Sequence, residues 1–388
     1  KRTDIAGDDR STIIGARTDD NNYFKIRFAD NDRLMVFGLK SGSGSINIET
    51  DAEFRDVFGW YHVVLQIDTT SSTETERVKW YVNGELQTIR SSGRNYPDQN
   101  DVNQLTSASD INIGCNAVGS PNEHFDGTMS HFHMIDGTIY PPTAFGSTDS
   151  VTGEWQINTS PSVTYGAKGF FILKDGNSVT DQSGNGNNFT VGGGTLTKTE
   201  DCPSNVFATW NSLANQGSVD LYNGNTRAVF STGGWYFVYS TLGASSGKYY
   251  YEVKVENGGS DSSIGIMEMD TATNEQGTAD NVGKNTESVG YLKNGSIKKN
   301  NSTVQTGLGS ISNGEIVGIA MDLDNNTVQF YLQGVARGTA VSIASDKTYA
   351  FATSGYGSAE HHTNFGNGYF ENTAVSSAGT NASGIGIF

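Results

Sequence analysis

The sequence predicts an all-β protein built from tandem antiparallel β-sandwiches, on three grounds. Apolar and polar residues alternate with period two in many short runs, Gly and Asn clusters punctuate those runs, and no segment sustains a 3.6-residue apolar period over three turns. Composition agrees, because aromatic residues make up 11 % of the 388 residues and there are 48 glycines against six prolines. Rings suit a pleated, half-buried surface, and glycine supplies tight turns. A chain so rich in them buries enough apolar area to offset the entropy of ordering, which excludes intrinsic disorder as the main state.

Taken in order, the run 61–68 places Tyr61, Val63, Leu65 and Ile67 on one strand face and His62, Gln66 and Asp68 on the other. Val78-Lys79-Trp80-Tyr81-Val82 repeats the pattern and runs into Asn83-Gly84. That dipeptide accepts positive φ at both central positions of a hairpin turn. Ile111, Ile113 and Cys115 alternate with Asn112 and Gly114, and Ser130-His131-Phe132-His133-Met134 alternates again before Asp136-Gly137. The two prolines of Tyr140-Pro141-Pro142-Thr143 forbid a central strand and close a first unit over 1–147.

Residues 148–205 read as a Gly/Asn-rich connector with short strands. Asp181-Gln182-Ser183-Gly184-Asn185-Gly186-Asn187-Asn188 and Gly192-Gly193-Gly194 are turn chemistry, while Phe170 to Leu173 and Phe189 to Val191 can pair with a neighbouring sheet. A second sandwich spans 206–388. Its clearest strand is Tyr249-Tyr250-Tyr251-Glu252-Val253-Lys254-Val255-Glu256, and the segments 316–323 and 327–332 form a hairpin across Asp324-Asn325-Asn326.

The formal net charge of −17 argues against nucleic acid as a partner, since phosphate contacts need a basic stripe and no basic cluster is longer than Lys298-Lys299. No stretch of about 18 apolar residues exists to insert into a bilayer. The start, Lys1-Arg2-Thr3-Asp4, has neither an initiator Met nor the apolar run of a signal peptide, and reads as a processed or partial chain. Cys115 and Cys202 lack metal-ligand spacing and are expected as unpaired thiols.

The first unit resembles a concanavalin A-like, laminin-G-type jelly roll through Gly59-Trp60-Tyr61-His62-Val63-Val64, Val78 to Gly84, and the segment from Phe125-Asp126-Gly127 to Ile135-Asp136-Gly137. With Pro142-Thr143-Ala144-Phe145-Gly146 and the 181–190 segment it is similar to structural proteins of tailed bacteriophages, marine ones included. The second unit resembles a SPRY sandwich through Ser245 to Val253, Val289-Gly290-Tyr291, Gly318 to Asp322 and Val328 to Gly334. Both families usually continue where this sequence stops, which implies truncation beyond Lys1-Arg2 and beyond Gly384-Ile385-Gly386-Ile387-Phe388.

Chemistry is sparse in the sequence. Laminin-G-type modules can bind calcium, with Asp126, Asp136, Asp322 and Asp324 as candidate oxygen ligands, although Asp before Gly or Asn is also a turn former and that reading takes precedence. His124, His131 and His133 include two residues at a strand spacing of two, but zinc needs three or four ligands and no metal site is assigned. His361-His362 beside Glu360 is expected in a solvated loop. A glycosidase strand resembles Glu-x-Asp-x-x-Glu; Glu268-Met269-Asp270 comes closest, with no third carboxylate in Thr271-Ala272-Thr273. Alternation puts Trp235, Phe237 and Tyr239 on one face, expected as core in preference to a sugar platform. No catalytic or metal residue is nominated, and the binding residues stay open.

The expected function is therefore that of a non-enzymatic phage virion component, a tail, fibre or capsid appendage that adheres to host surface glycan or to neighbouring virion subunits. It would be homo-oligomeric, because edge strands need covering, located in the virion and assembled in the host cytoplasm. Two alternatives are a carbohydrate-active depolymerase using Glu268 and Asp270, and a protein-interaction module.

Overall fold

A computed structural model describes residues 1–388 except 6–10, 103, 108–109, 117–121, 175–177, 215–217, 271–280, 377 and 380–385. The chain is nearly all β, and the longest helix among the described residues is the four-residue Gln104–Ser107. It divides into two compact units, Lys1–Leu196 and Thr197–Phe388. The division falls inside the stretch expected as a connector, and residues before it belong to the first unit.

In the first unit, a five-stranded antiparallel sheet runs in the order Ser43–Glu53, Arg33–Lys40, Asn22–Phe28, Ser11–Asp19, Asp110–Ile113. A three-stranded sheet of Val63–Ile67, Val78–Val82 and Glu85–Leu86 packs on it. Period two decides which side chains meet. Val78, Trp80 and Val82 are buried with Phe24, Leu34, Val36 and Ile48, and Tyr61, Val63, Leu65 and Ile67 pack against that core as the alternation predicts. Asn83 and Gly84 form the two-residue turn with φ of 49° and 81°, the twist-matched geometry that this dipeptide favours.

The outer face of the small sheet is covered by the chain at and after the double proline, from Tyr140 on. Gln66 Nε2 donates to the Tyr140 carbonyl at 2.7 Å, and Trp155 Nε1 donates to His62 Nδ1 at 2.9 Å. Phe170–Ile172 pairs with Phe132–Met134. The turn-rich loop after it is closed by Asp181, whose carboxylate accepts from the backbone of Phe171, Ser183 and Asn187 and from the Ser183 hydroxyl. Asn185 and Asn187 side chains donate to the carbonyls of 166–169, so this loop is folded onto the unit.

The second unit is a sandwich of a seven-stranded and a six-stranded sheet. The larger runs Val219–Tyr222, Arg227–Phe230, Glu360–Asn364, Lys248–Asn257, Ile316–Asp322, Thr327–Leu332, Val335–Ser342. The smaller runs Trp235–Ala244, Tyr349–Tyr356, Asp261–Glu268, Ser288–Leu292, Ile297–Lys299, Ser302–Gln305. Between them lie Trp210, Tyr251, Val253, Val255, Ile264, Ile266, Phe330 and their neighbours. Tyr251, fully buried, shares its hydroxyl proton between the carbonyls of Gly265 and Ala352, both at 2.9 Å, which satisfies the one polar atom that the ring brings inside.

One expectation is corrected here. His361 and His362 are not in a solvated loop; they lie in the strand Glu360–Asn364, inside the seven-stranded sheet, at 0 % and 5 % exposure. Hydroxyls make this burial tolerable: Thr353 Oγ1 lies 2.6 Å from His361 Nδ1 and Ser262 Oγ lies 3.0 Å from Nε2. Burial pulls the His361 pKa down to about 3, so the ring is held neutral, and its two nitrogens need no charge partner. Two adjacent polar rings carry no alternation signal, which is why the pattern does not reveal the strand.

Candidate functional site

The outward face of the six-stranded sheet ends in a row of three residues set by strand register. Trp235 opens the strand Trp235–Ala244, Tyr356 closes Tyr349–Tyr356, and Asp261 opens Asp261–Glu268. Antiparallel pairing puts Trp235 opposite Tyr356, and Tyr356 opposite Asp261, so all three project from the same side. Further down that face, Phe237, Tyr239, Ala352 and Met267 are buried together with Ala214 and Val282. Ser263 Oγ donates to the Val282 carbonyl, and the Val282 N–H donates to Ser354 Oγ, fastening that segment over the face. The end row is partly exposed, Tyr356 at 38 % with Trp235 and Asp261 half-buried.

The two rings stack with centroids 6.1 Å apart and planes 28° from parallel. Asp261 Oδ1 accepts the Ser262 N–H at 2.9 Å. Burial raises the Asp261 pKa, while that amide, Lys293 and Lys298 pull against the rise. Lys293 donates to the Gly259 carbonyl at 2.6 Å. An aromatic shelf beside an acceptor-rich carboxylate suits a ligand with an apolar face and hydroxyl edges.

Sequence reasoning placed Trp235 with Phe237 and Tyr239 as core. Phe237 and Tyr239 are buried, at 0 % and 3 %, whereas Trp235 lies at the rim. Tyr356 and Asp261 were missed, since only long-range register joins them to Trp235. The local signal available was the glycines at the same rim, Gly233-Gly234, Gly258-Gly259 and Gly357, which mark all three as strand ends.

The remaining candidates scatter. Glu268 is buried at 4 % with Lys347 Nζ 3.7 Å away, and Asp270 is exposed beyond the strand end; Thr271-Ala272-Thr273 lies outside the described residues. Asp126 and Asp136 belong to the first unit, Asp322 and Asp324 to the second. Asp322 accepts the Asn325 amide within its own turn, while Asp136 and Asp324 accept the distant backbone amides of Lys168 and Gly247. His124 is exposed, and His131 takes a left-handed φ of 50° just before the strand that carries His133. Among the described residues no group of three or more His, Cys, Asp or Glu is arranged to hold a metal ion, and both cysteines are free thiols.

Comparison with known proteins gives the architecture a family. Residues 1–143 match the concanavalin A-like lectin/glucanases superfamily, and residues 248–368 match the SPRY domain. The chain carries a concanavalin A-like domain followed by a SPRY domain. Among solved structures, the chain is similar to the SPRY domain of human HERC1, at 18 % identity over 40 % of this chain and 96 % of that one, with a TM-score of 0.33. The TRIM65 PSpry domain matches at 13 % identity over 40 % and 88 %, TM-score 0.33, and a human SPRY domain at 16 % over 38 % and 94 %, TM-score 0.30. No curated protein matches the chain. The aromatic row thus belongs to the unit that holds the SPRY domain, Trp235 lying just ahead of the matched residues.

Proposed function

We propose that this chain is a non-enzymatic adhesion component of a tailed-phage virion, an appendage whose two sandwich domains bind host surface glycan or neighbouring virion subunits. The observation that carries the reading is where the reactive side chains go. Glu268, His361 and Asp181 are buried in bonds that serve the fold, while the rings available for adhesion stand at an open rim. The bacteriophage part of the reading rests on the resemblance of the first domain and of the 181–190 segment to phage structural proteins. Fold alone does not decide function, and the charge of −17 suits a protein that stays dispersed until it meets a specific surface.

Two measurements test this reading. Mass spectrometry of purified particles should find the chain as a stoichiometric component. Incubating the purified protein with host envelope polysaccharide should leave reducing ends constant while the protein co-sediments with the envelope. Release of reducing sugar that disappears in Glu268→Gln or Asp270→Asn would establish the depolymerase alternative.

A further inference from the structure

We propose that Trp235, Tyr356 and Asp261 form a binding site for neutral, hydroxyl-rich sugar chains. The inference rests on the adhesive reading above and names its ligand class. Three observations carry it.

The two rings stack at 6.1 Å with planes 28° apart, giving a continuous apolar shelf, and Tyr356 is 38 % exposed. Such an aromatic pair offers apolar ring surface to the C–H face of a pyranose. Asp261 stands beside Tyr356 in register. A carboxylate has about four acceptor positions, of which the Ser262 amide takes one, so sugar hydroxyls can donate to the remainder. Hydrogen bonds to an ionised acceptor are the strong kind, and a few placed polar groups on an apolar wall are what fixes a ligand's orientation.

Charge then selects the class. Lys293 and Lys298 act on Asp261 electrostatically and Lys293 donates to the Gly259 carbonyl, while the group left to accept from a ligand at the rim is the Asp261 carboxylate, on a chain of net charge −17. Uronates, sialates and phosphorylated glycans are repelled, whereas neutral hexoses meet no such cost. Burial raises the Asp261 pKa, so affinity falls as acid protonates the carboxylate and removes its acceptor strength.

The test titrates the full chain with neutral hexose oligosaccharides, maltohexaose and mannohexaose, and with oligogalacturonate of the same length, by calorimetry and saturation-transfer NMR. At least one neutral oligomer is expected to bind, and the oligouronide about tenfold or more weaker. Trp235→Ala and Tyr356→Ala should each weaken neutral binding about tenfold. Asp261→Asn, which keeps shape and removes charge, should shrink the neutral-over-acidic preference. Near-ultraviolet circular dichroism that matches the parent's serves as the folding control for each variant. Unchanged binding in the Trp235 and Tyr356 variants would move the site elsewhere and leave the adhesive reading standing. Equal affinity for the oligouronide would overturn the ligand class. Should envelope co-sedimentation persist with no neutral oligomer bound, the site falls alone; loss of co-sedimentation as well would bring down both.

Discussion

Gly84 shows how one backbone position fastens the concanavalin A-like domain. It occupies the second place of the Asn83-Gly84 turn at φ 81°, and a methyl group there would lie 2.2 Å from the Trp155 ring. Two costs therefore add in Gly84→Ala: the left-handed penalty for an L-residue, about 1–2 kcal/mol, and displacement of a packed indole, about 1–3 kcal/mol. Gly93 has a similar φ of 74° with nothing within 4 Å, so Gly93→Ala carries the first cost alone. Urea denaturation should rank Gly84→Ala as the more destabilised by at least about 1 kcal/mol. Equal losses would mean that Trp155 is not held against the turn. Asp32 is a second such position, nearly fully buried between Arg2 and Arg55, each at 2.9 Å. Removing its charge in Asp32→Asn leaves the almost fully buried guanidinium of Arg2 unmatched and should cost about 3 kcal/mol in the same assay. A loss under about 1 kcal/mol would show the pair to be solvated.

At the scale of elements, the segment after the double proline is held by two neutral imidazoles. The Trp155 indole can only donate, so its 2.9 Å bond requires an unprotonated His62 Nδ1. His133 Nδ1 lies 2.9 Å from the Tyr165 hydroxyl, and its ring stacks 3.9 Å from Phe171. Burial lowers the His62 pKa to about 4 and that of His133 to about 3, nearby histidines adding to the latter. Folded pKa values below the unfolded value of 6.5 mean that the folded state binds fewer protons. Stability is complete above pH 6.5 and declines as pH falls towards 4 and then 3. Protection factors over 140–168, referred to the intrinsic exchange rate at each pH, should fall between pH 6.5 and 4 ahead of those of the five-stranded sheet, and His62→Phe should also remove that bond at neutral pH. Protection factors in 140–168 that stay constant down to pH 4 would rule out the imidazole clasp. This element also marks what the sequence could disclose. The Val78–Val82 hairpin and the Tyr249–Glu256 strand were legible because period two and turn residues act locally. The covering of the small sheet by 140–157, the burial of His361, and the Trp235–Tyr356–Asp261 row were not, because each depends on partners far along the chain: Trp155 with His62, Thr353 and Ser262 with the imidazole, Tyr356 between two strand starts.

For the whole molecule, the decisive fact is that each unit closes its own sheets and core. Trp210, Tyr251, Phe330 and Phe365 fill the sandwich of Thr197–Phe388, while Phe24, Leu34 and Trp80 fill that of Lys1–Leu196. Every strand pairing among the described residues stays within one unit. Both units fall in the size range at which a single core supports a domain. A cut between Leu196 and Thr197 severs one peptide link and no sheet. Expressed separately, each half should show a sharp near-ultraviolet spectrum and a single cooperative denaturant transition. Thr197–Phe388 should also retain whatever sugar affinity the full chain has, since Trp235, Tyr356 and Asp261 all lie within it. A fragment that binds dye as a molten state does, or one that folds yet loses sugar binding held by the full chain, would mean that the second unit needs residues before 197 to build its rim, and that the two sandwiches work as one adhesive body.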